Sequence, residues 1–203
     1  MNMHASDAAA ITARGSVAPH VPGENSLWLL ILGDMVIYAI MFLVFAYSYQ
    51  QQPDTFAAGQ ELLNKNFGFI NTLLLLTSSW FVAKGVRSIR RQPSLDASHW
   101  LLLALVCGGA FVVSKVVEYS LKINAGVVLT SNDFFMYYYM ITAFHLIHVL
   151  IGMTVLVFMW LTARRPQVPA EGVRFLECGA TFWHLVDLLW IMIFPLIYLL
   201  GRT

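Results

Sequence analysis

Five long apolar segments constrain this chain more than any other feature of its sequence. Runs of about 20 predominantly apolar residues are long enough to cross a bilayer as α-helices. Apolar residues make up 59% of the chain and charged residues only 11%, well below the roughly 25% charged residues of soluble proteins. The sequence therefore predicts an all-α integral membrane protein, a bundle of five transmembrane helices. The predicted spans are residues 27–49, 67–89, 99–122, 134–161 and 178–200.

The N-terminal segment differs in composition from the rest. Residues 1–26 are mostly small and polar, and Arg14 is the only Lys or Arg among them. A short apolar region followed by a cleavage site, which would mark a removable signal peptide, is not visible there. We therefore predict a disordered cytoplasmic tail over residues 1–26 and one transmembrane domain over residues 27–203.

The distribution of cations over the loops predicts the orientation in the membrane. Cytoplasmic loops of membrane proteins carry an excess of Lys and Arg. With five spans, the tail and the second and fourth loops share one side, which carries seven cations against three on the other. This predicts a cytoplasmic N-terminus and a periplasmic C-terminus in the inner (plasma) membrane of a bacterium. The seven are Arg14, Arg87, Arg90, Arg91, Arg164, Arg165 and Arg174, and the three are Lys65, Lys122 and Arg202.

Several function classes are disfavoured by charge and by motifs. A net charge of +1 offers no footprint for nucleic acid. The chain has no nucleophile elbow, no Gly-rich phosphate loop and no HExxH zinc motif, so the usual enzyme signatures are missing. Cys107 and Cys178 lie in or beside apolar runs and are interpreted as small packing residues.

Ionisable side chains inside the spans are the candidate functional residues, because such groups are costly in lipid and by default mark a working surface. His145 and His148 lie three apart in the fourth span, as do His184 and Asp187 in the fifth, so each pair shares a helix face. At about 1.5 Å per residue, Asp34, His148, His184 and Asp187 fall at one level of the inner leaflet, with His145 one turn away. We expect these five side chains to form a buried polar network.

A second polar group is predicted in the outer half of the membrane. Lys115 and Glu118 lie three apart in the third span and can neutralise each other on one helix face as an ion pair. In the second span, Ser78 and Ser79 can each bond a carbonyl of their own helix or reach a neighbouring helix.

The residues alone leave several functions open. Imidazoles on facing helices can ligate haem, which would involve His145 or His148 together with His184. A metal site is a second alternative. The metal ligands of di-iron bundles, however, are Glu-x-x-His pairs together with further Glu residues. A proton or transport path through Asp34, His148 and Asp187 is a third. The fourth is a hydrogen-bonded network that holds the helices in register while another subunit performs the chemistry.

Several separated motifs resemble subunit III of the haem-copper oxidases. TAFHLIHVLIG (142–152) and FWHLVDLLWIMIF (182–194) are similar to the two signature helices of that family, and ILGDMVIYAIMF (31–42) and KVVEY (115–119) are similar to further parts of it. The chain resembles the five-helix form. The segments HVPGENSLWLLILGD (20–34) and SNDFFMYYYMITAFHLIHVLIG (131–152) are most similar to the NorE-type proteins associated with nitric oxide reductase.

The resemblance implies a non-catalytic membrane subunit or accessory protein of a respiratory oxidoreductase complex. On the NorE-type interpretation the chain would stabilise the catalytic subunit of nitric oxide reductase; the alternative is subunit III of a cytochrome c or quinol terminal oxidase. A haem-binding membrane cytochrome and a small transporter are more distant alternatives. Haem and metal are expected only in the partner subunit, and structural phospholipid is expected on this chain. The family's buried polar positions fall on Asp34, Glu118, His145, His148, His184 and Asp187.

Overall fold

The computed structural model describes residues 25–91, 95–165 and 167–200, and these residues are almost entirely helical. Five helices are long and apolar enough to cross a membrane, which confirms the predicted all-α architecture. The tail predicted over residues 1–26 lies outside the described residues as far as residue 24. The elements are α1 (Asn25–Gln51), α2 (Pro53–Glu61), α3 (Lys65–Arg91), α4 (Leu95–Asn124), α5 (Asp133–Ala163), α6 (Ala170–Phe194) and a π-helical turn (Pro195–Leu199).

Two elements differ from the sequence prediction. The first loop contains the short helix α2, which begins with Pro53, a residue whose fixed φ suits the first turn of a helix. The last span begins at Ala170 instead of residue 178, because Pro169 is extended and Glu171 occupies the first turn, where a negative charge is favourable. A search for apolar runs does not detect α2 or the first residues of α6, because both segments are helical but contain many polar residues.

Helices α3, α4, α5 and α6 pack around large aromatic side chains. Trp183 of α6 is 1% exposed and lies against two glycines of neighbouring helices. A Cβ atom added at Gly152 of α5 would lie 2.8 Å from the Trp183 ring, and one added at Gly108 of α4 would lie 3.0 Å from it. The small residues therefore admit a side chain at the centre of the bundle, in the manner of small-residue interfaces between membrane helices.

Helix α1 lies at the edge of the bundle, and several of its side chains contact α5. The rings of Tyr38 and Phe144 are 5.4 Å apart, those of Phe45 and Tyr137 are 6.0 Å apart, and the Ser48 and Tyr137 hydroxyls are 2.8 Å apart. Aromatic pairs of this kind contribute about 0.5–1.5 kcal/mol each beyond burial. The rest of α1 presents exposed apolar side chains, as a lipid-facing helix does.

The end of α6 is shaped by Pro195. Proline cannot donate the backbone hydrogen bond that would continue an α-helix, and the chain continues as a π-helical turn from Pro195 to Leu199. The buried Gln60 of α2 donates from Nε2 to the carbonyl oxygens of Ile197 at 3.1 Å and Leu196 at 3.4 Å. Helix α2 thus covers this end of the bundle. We call the opposite end, where α3 and α5 end and α4 and α6 begin, the basic end.

Candidate functional site

The contact between Asp34 and His148 joins the first and the fifth helix. Nε2 of His148 lies 3.0 Å from Oδ1 of Asp34, and the two side chains are 14% and 8% exposed. Nδ1 of the same imidazole lies 2.8 Å from the carbonyl oxygen of Phe144. A carbonyl only accepts, so Nδ1 carries a hydrogen. One further proton is then shared with Asp34, either on Nε2 as an ion pair or on the carboxyl group as a neutral hydrogen bond.

The structure places His145 in the apolar core and away from this contact. Its side chain is fully buried between Phe111 and Trp190, whose ring centroids lie 5.8 and 5.2 Å from the imidazole. Neither ring nitrogen has a hydrogen-bond partner among the described residues. Although His145 and His148 lie on one side of α5, a spacing of three leaves them about 60° apart around the helix, enough to direct one to the core and the other to α1.

His184 and Asp187 meet α3 instead of α1. Nδ1 of His184 lies 2.8 Å from the Ser79 hydroxyl, and Asp187 interacts with the same serine. Asp187 is buried, whereas His184 is exposed on the outside of the bundle. The prediction of a single buried layer is therefore wrong for His184, which is exposed and contacts α3. The layer divides into an Asp34–His148 pair and a Ser79–His184–Asp187 group.

The outer polar group contains a residue that the sequence reasoning did not include. Nζ of Lys115 lies 2.9 Å from Glu118 Oε2 and donates at 3.1 Å to the hydroxyl of Tyr198, which itself donates at 2.7 Å to Glu118 Oε1. Lys115 and Glu118 are 0% and 3% exposed. The Lys115 ammonium also lies 5.0 Å from the Trp190 ring and 5.3 Å from the Tyr138 ring, within the range of cation–π attraction.

Tyr198 was missed because it belongs to the π-helical turn, far from Lys115 in sequence. The sequence signals it only as an aromatic residue near the end of the last span. In the structure it closes a triangle of charge-assisted hydrogen bonds around a fully buried ammonium group, which satisfies charges that would otherwise be costly in a low-dielectric core.

These groups determine what the arrangement can do chemically. Within residues 25–91, 95–165 and 167–200, no three His, Cys, Asp or Glu side chains come close enough together to hold a metal ion. The imidazole of His145 packs against two aromatic rings, and both of its ring nitrogens, through which an imidazole ligates iron, are buried. The polar side chains instead connect helices in pairs: α1 to α5, α3 to α6, and α4 to the end of the chain.

Comparison with known families and proteins gives a consistent result. The family model described as cytochrome c oxidase subunit III matches residues 23–202. The chain is 31% identical over 134 residues to cytochrome c oxidase subunit 3 of Thermostichus vulcanus, covering 66% of this chain and 65% of that protein. For the corresponding proteins of Synechocystis and Rickettsia conorii the match covers 55% and 47% of their length, so the chain spans less than two thirds of these relatives.

Two quinol oxidase subunits match over more of their length at lower identity. Cytochrome bo(3) ubiquinol oxidase subunit 3 of Pseudomonas aeruginosa is 24% identical over 209 residues, which covers 99% of this chain and 97% of that protein. Quinol oxidase subunit 3 of Bacillus subtilis is 25% identical over 179 residues, covering 86% and 85% respectively. Apart from residues 20–22, the segments singled out in the sequence lie within the residues that the family model covers.

Proposed function

The chain belongs to the cytochrome c oxidase subunit III family, and from this premise we propose that it is a non-catalytic membrane subunit of a haem-copper terminal oxidase. The relatives described above are named as subunits of cytochrome c and quinol oxidases. They support a terminal oxidase as the partner better than the nitric oxide reductase that the NorE-type motifs favoured. Haem and metal would belong to the catalytic subunit.

One observation supports a structural role most directly. Ionisable residues of the family's signature helices bond one helix to another: His148 contacts Asp34 across α5 and α1, and His184 contacts Ser79 across α6 and α3. A catalytic group must reach substrate or cofactor, whereas these groups reach neighbouring helices. The proposed role of this subunit is to present a rigid helical surface that stabilises the catalytic subunit.

The proposed setting is the inner (plasma) membrane of a bacterium, with the basic end in the cytoplasm. The chain is a multi-pass membrane protein with five helices of sufficient length. At the basic end, Arg87, Arg90, Arg165 and Arg174 support this orientation through the preference of cations for cytoplasmic loops. A reporter that is active only in the periplasm, fused after Thr203, should be active in this orientation and inactive in the reverse one.

Co-purification tests the proposed partner. The tagged full-length chain is solubilised from native membranes in a mild detergent, and the proteins that accompany it are identified by mass spectrometry. We expect a haem-copper oxidase catalytic subunit in near-stoichiometric amount, with its haem spectrum. Recovery with nitric oxide reductase would restore the NorE-type assignment, and recovery of the chain alone would refute the proposal of a subunit.

A variant tests the role within the complex. Replacing Asp34 with Ala removes the contact with His148, so the complex should lose activity faster during turnover while the haem content of the partner stays unchanged. Asp54→Ala, at an exposed position of α2, is the matched control. A loss of haem from the partner in Asp34→Ala, or an equal effect of Asp54→Ala, would contradict this role.

A further inference from the structure

Two buried polar atoms of α6 have no hydrogen-bond partner among the described residues. They are Nε1 of Trp183 and Oδ1 of Asp187, and the two residues are 1% and 6% exposed. Buried polar groups are in the large majority hydrogen-bonded to protein or to ordered water. An indole N–H only donates and a carboxylate oxygen only accepts, so the two atoms are chemically complementary.

The spacing of the two residues places them one helical turn apart. Trp183 and Asp187 are separated by four positions in α6, and residues four apart lie on the same helix face with their Cβ atoms about 5–6 Å from each other. Nε1 and Oδ1 nevertheless make no direct hydrogen bond. A single water molecule can accept from the first atom and donate to the second, and buried waters in proteins make such bonds to otherwise unsatisfied groups.

The indole ring is oriented with its N–H edge toward α4. Its Cζ2 atom, which lies on the same edge as Nε1, is 3.3 Å from the position of a Cβ atom at Gly108 of α4. Its Cε3 atom, on the other edge, is 2.8 Å from the position of a Cβ atom at Gly152 of α5. The N–H group of Trp183 therefore lies on the α4 side of the ring and away from α5.

Asp187 faces the same region from one turn further along α6. Its carboxyl group interacts with the hydroxyl of Ser79 in α3. The neighbouring Ser78 donates at 2.9 Å to the carbonyl oxygen of Ala104 in α4, which lies one turn from Gly108. The two unpartnered atoms thus lie where α3, α4 and α6 meet. The Ser78 hydroxyl oxygen, whose hydrogen is used, can still accept a bond there.

Polar side chains connect this region with the surface of the bundle. His184 is exposed in a groove of about 530 Å³ between α3 and α6 at the basic end. Its Nδ1 lies 2.8 Å from the hydroxyl of Ser79, which in turn interacts with Asp187. Water in the groove therefore meets a continuous series of hydrogen-bonding groups that leads inward to the Asp187 carboxyl.

We propose that one buried water molecule binds between Trp183 and Asp187, accepting a hydrogen bond from Nε1–H and donating one to Oδ1. This water joins the tryptophan at the centre of the bundle to the Ser79–His184–Asp187 group, so that α3 and α6 share one connected hydrogen-bonded network. Buried waters of this kind are costly to remove. The inference depends only on contacts within this chain and is independent of the partner proposed for it.

Nuclear magnetic resonance of the indole groups tests the proposal. The full-length chain is isotope-labelled at the indole nitrogen of tryptophan and purified in detergent micelles, and cross-peaks between each indole hydrogen and water are recorded. The Trp183 resonance is assigned from its absence in Trp183→Phe, and we expect it to show a cross-peak to water. Trp190 is the internal control, because it is also fully buried but its Nε1 donates at 3.1 Å to Thr72 Oγ1. Its resonance should show no such cross-peak.

Two substitutions at Asp187 identify the second partner of the water. Asp187→Asn keeps a carbonyl oxygen and should retain the Trp183 cross-peak. Asp187→Leu removes the acceptor and should abolish the cross-peak and shift the indole resonance of Trp183, while an unshifted Trp190 resonance in the same spectrum shows that the variant is folded. If Asp187→Leu does not fold, the comparison of Trp183 with Trp190 in the unsubstituted chain decides.

Three results would overturn the proposal. The first is the absence of a water cross-peak from Trp183 in the unsubstituted chain. The second is an equal cross-peak from Trp190, since that indole has a protein partner. The third is a Trp183 cross-peak that persists unchanged in folded Asp187→Leu, because the water would then not depend on the carboxyl group.

Discussion

His148 Nε2 lies 3.0 Å from Asp34 Oδ1, and this contact joins the edge helix α1 to the rest of the bundle, as the Ser48–Tyr137 contact also does. The surrounding contacts of α1 are aromatic and apolar. A hydrogen bond or ion pair at this depth is directional in a way that apolar contacts are not. The pair therefore contributes to the rotation that α1 adopts about its own axis.

A double-mutant cycle on Asp34→Ala and His148→Ala measures this link. Each single variant should lower the free energy of unfolding. The coupling energy between them should be about 0.6 kcal/mol and at most about 1.7 kcal/mol, the mean and the maximum found for hydrogen bonds between membrane helices. Reversible unfolding in mixed micelles supplies the values. Additive effects of the two substitutions would show that the side chains do not stabilise each other.

The Lys115–Glu118 pair should show a different pattern, because both side chains are almost completely buried. Glu118→Leu leaves the ammonium unpaired and should cost about 3–5 kcal/mol of stability. The double variant Lys115→Met with Glu118→Leu removes both charges and should be more stable than Glu118→Leu alone. Lys65→Met, at an exposed position, is the control for loss of a lysine. A double variant that is less stable than the single one would contradict the expectation.

The same substitution at the two histidines of α5 should have opposite effects on the stability of the protein. His145 is buried without a hydrogen-bond partner among the described residues, so His145→Leu should leave stability unchanged or raise it, since an unsatisfied buried polar group is removed. His148→Leu should lower stability by about 1–3 kcal/mol because it leaves the Asp34 carboxyl unpaired. Thermal unfolding of the purified variants compares them. A strong loss of stability in His145→Leu would contradict the description of His145 as an unsatisfied buried group.

The glycines beside Trp183 offer a test of packing. A Cβ at Gly152 would lie 2.8 Å from the Trp183 ring, and the rigid indole cannot move aside without disturbing the core, so Gly152→Ala should cost about 1–3 kcal/mol. A Cβ at Gly109 would meet only Met153 at 3.9 Å, an ordinary contact. Gly109→Ala should therefore be neutral or slightly stabilising through its better helix propensity. Equal effects of the two substitutions on unfolding would contradict the packing described.

Sequence reasoning located the spans and the depth of the polar residues, but it did not locate their neighbours. Counting residues at a known rise gives the level of a side chain along a helix. It does not give the rotation of each helix or the order of the helices around the bundle. For this reason Asp34, His148 and His184 were placed at one level, while the contact of His184 with Ser79 and its exposure emerged only from the structure.

Contacts within one helix could be predicted from the sequence, whereas contacts between distant segments could not. The spacing of Lys115 and Glu118 was enough to bring them together, because residues three apart on one helix are neighbours whatever surrounds them. The third member, Tyr198, depends on where the chain returns after six helices. Helix α2 was missed because it is short and mixed in composition, and its burial against Phe134 depends on tertiary packing.

The separation of Asp34 and His148 along the chain has a consequence for biosynthesis. Asp34 belongs to α1 and its partner His148 belongs to α5, so α2, α3 and α4 are synthesised between them. Because a chain is synthesised at about 5–20 residues per second, His148 follows Asp34 after an interval on the order of ten seconds. During that interval α1 resides in the translocon or the bilayer with an unpaired acid. The Asp34–His148 contact can therefore form only after α5 has been synthesised.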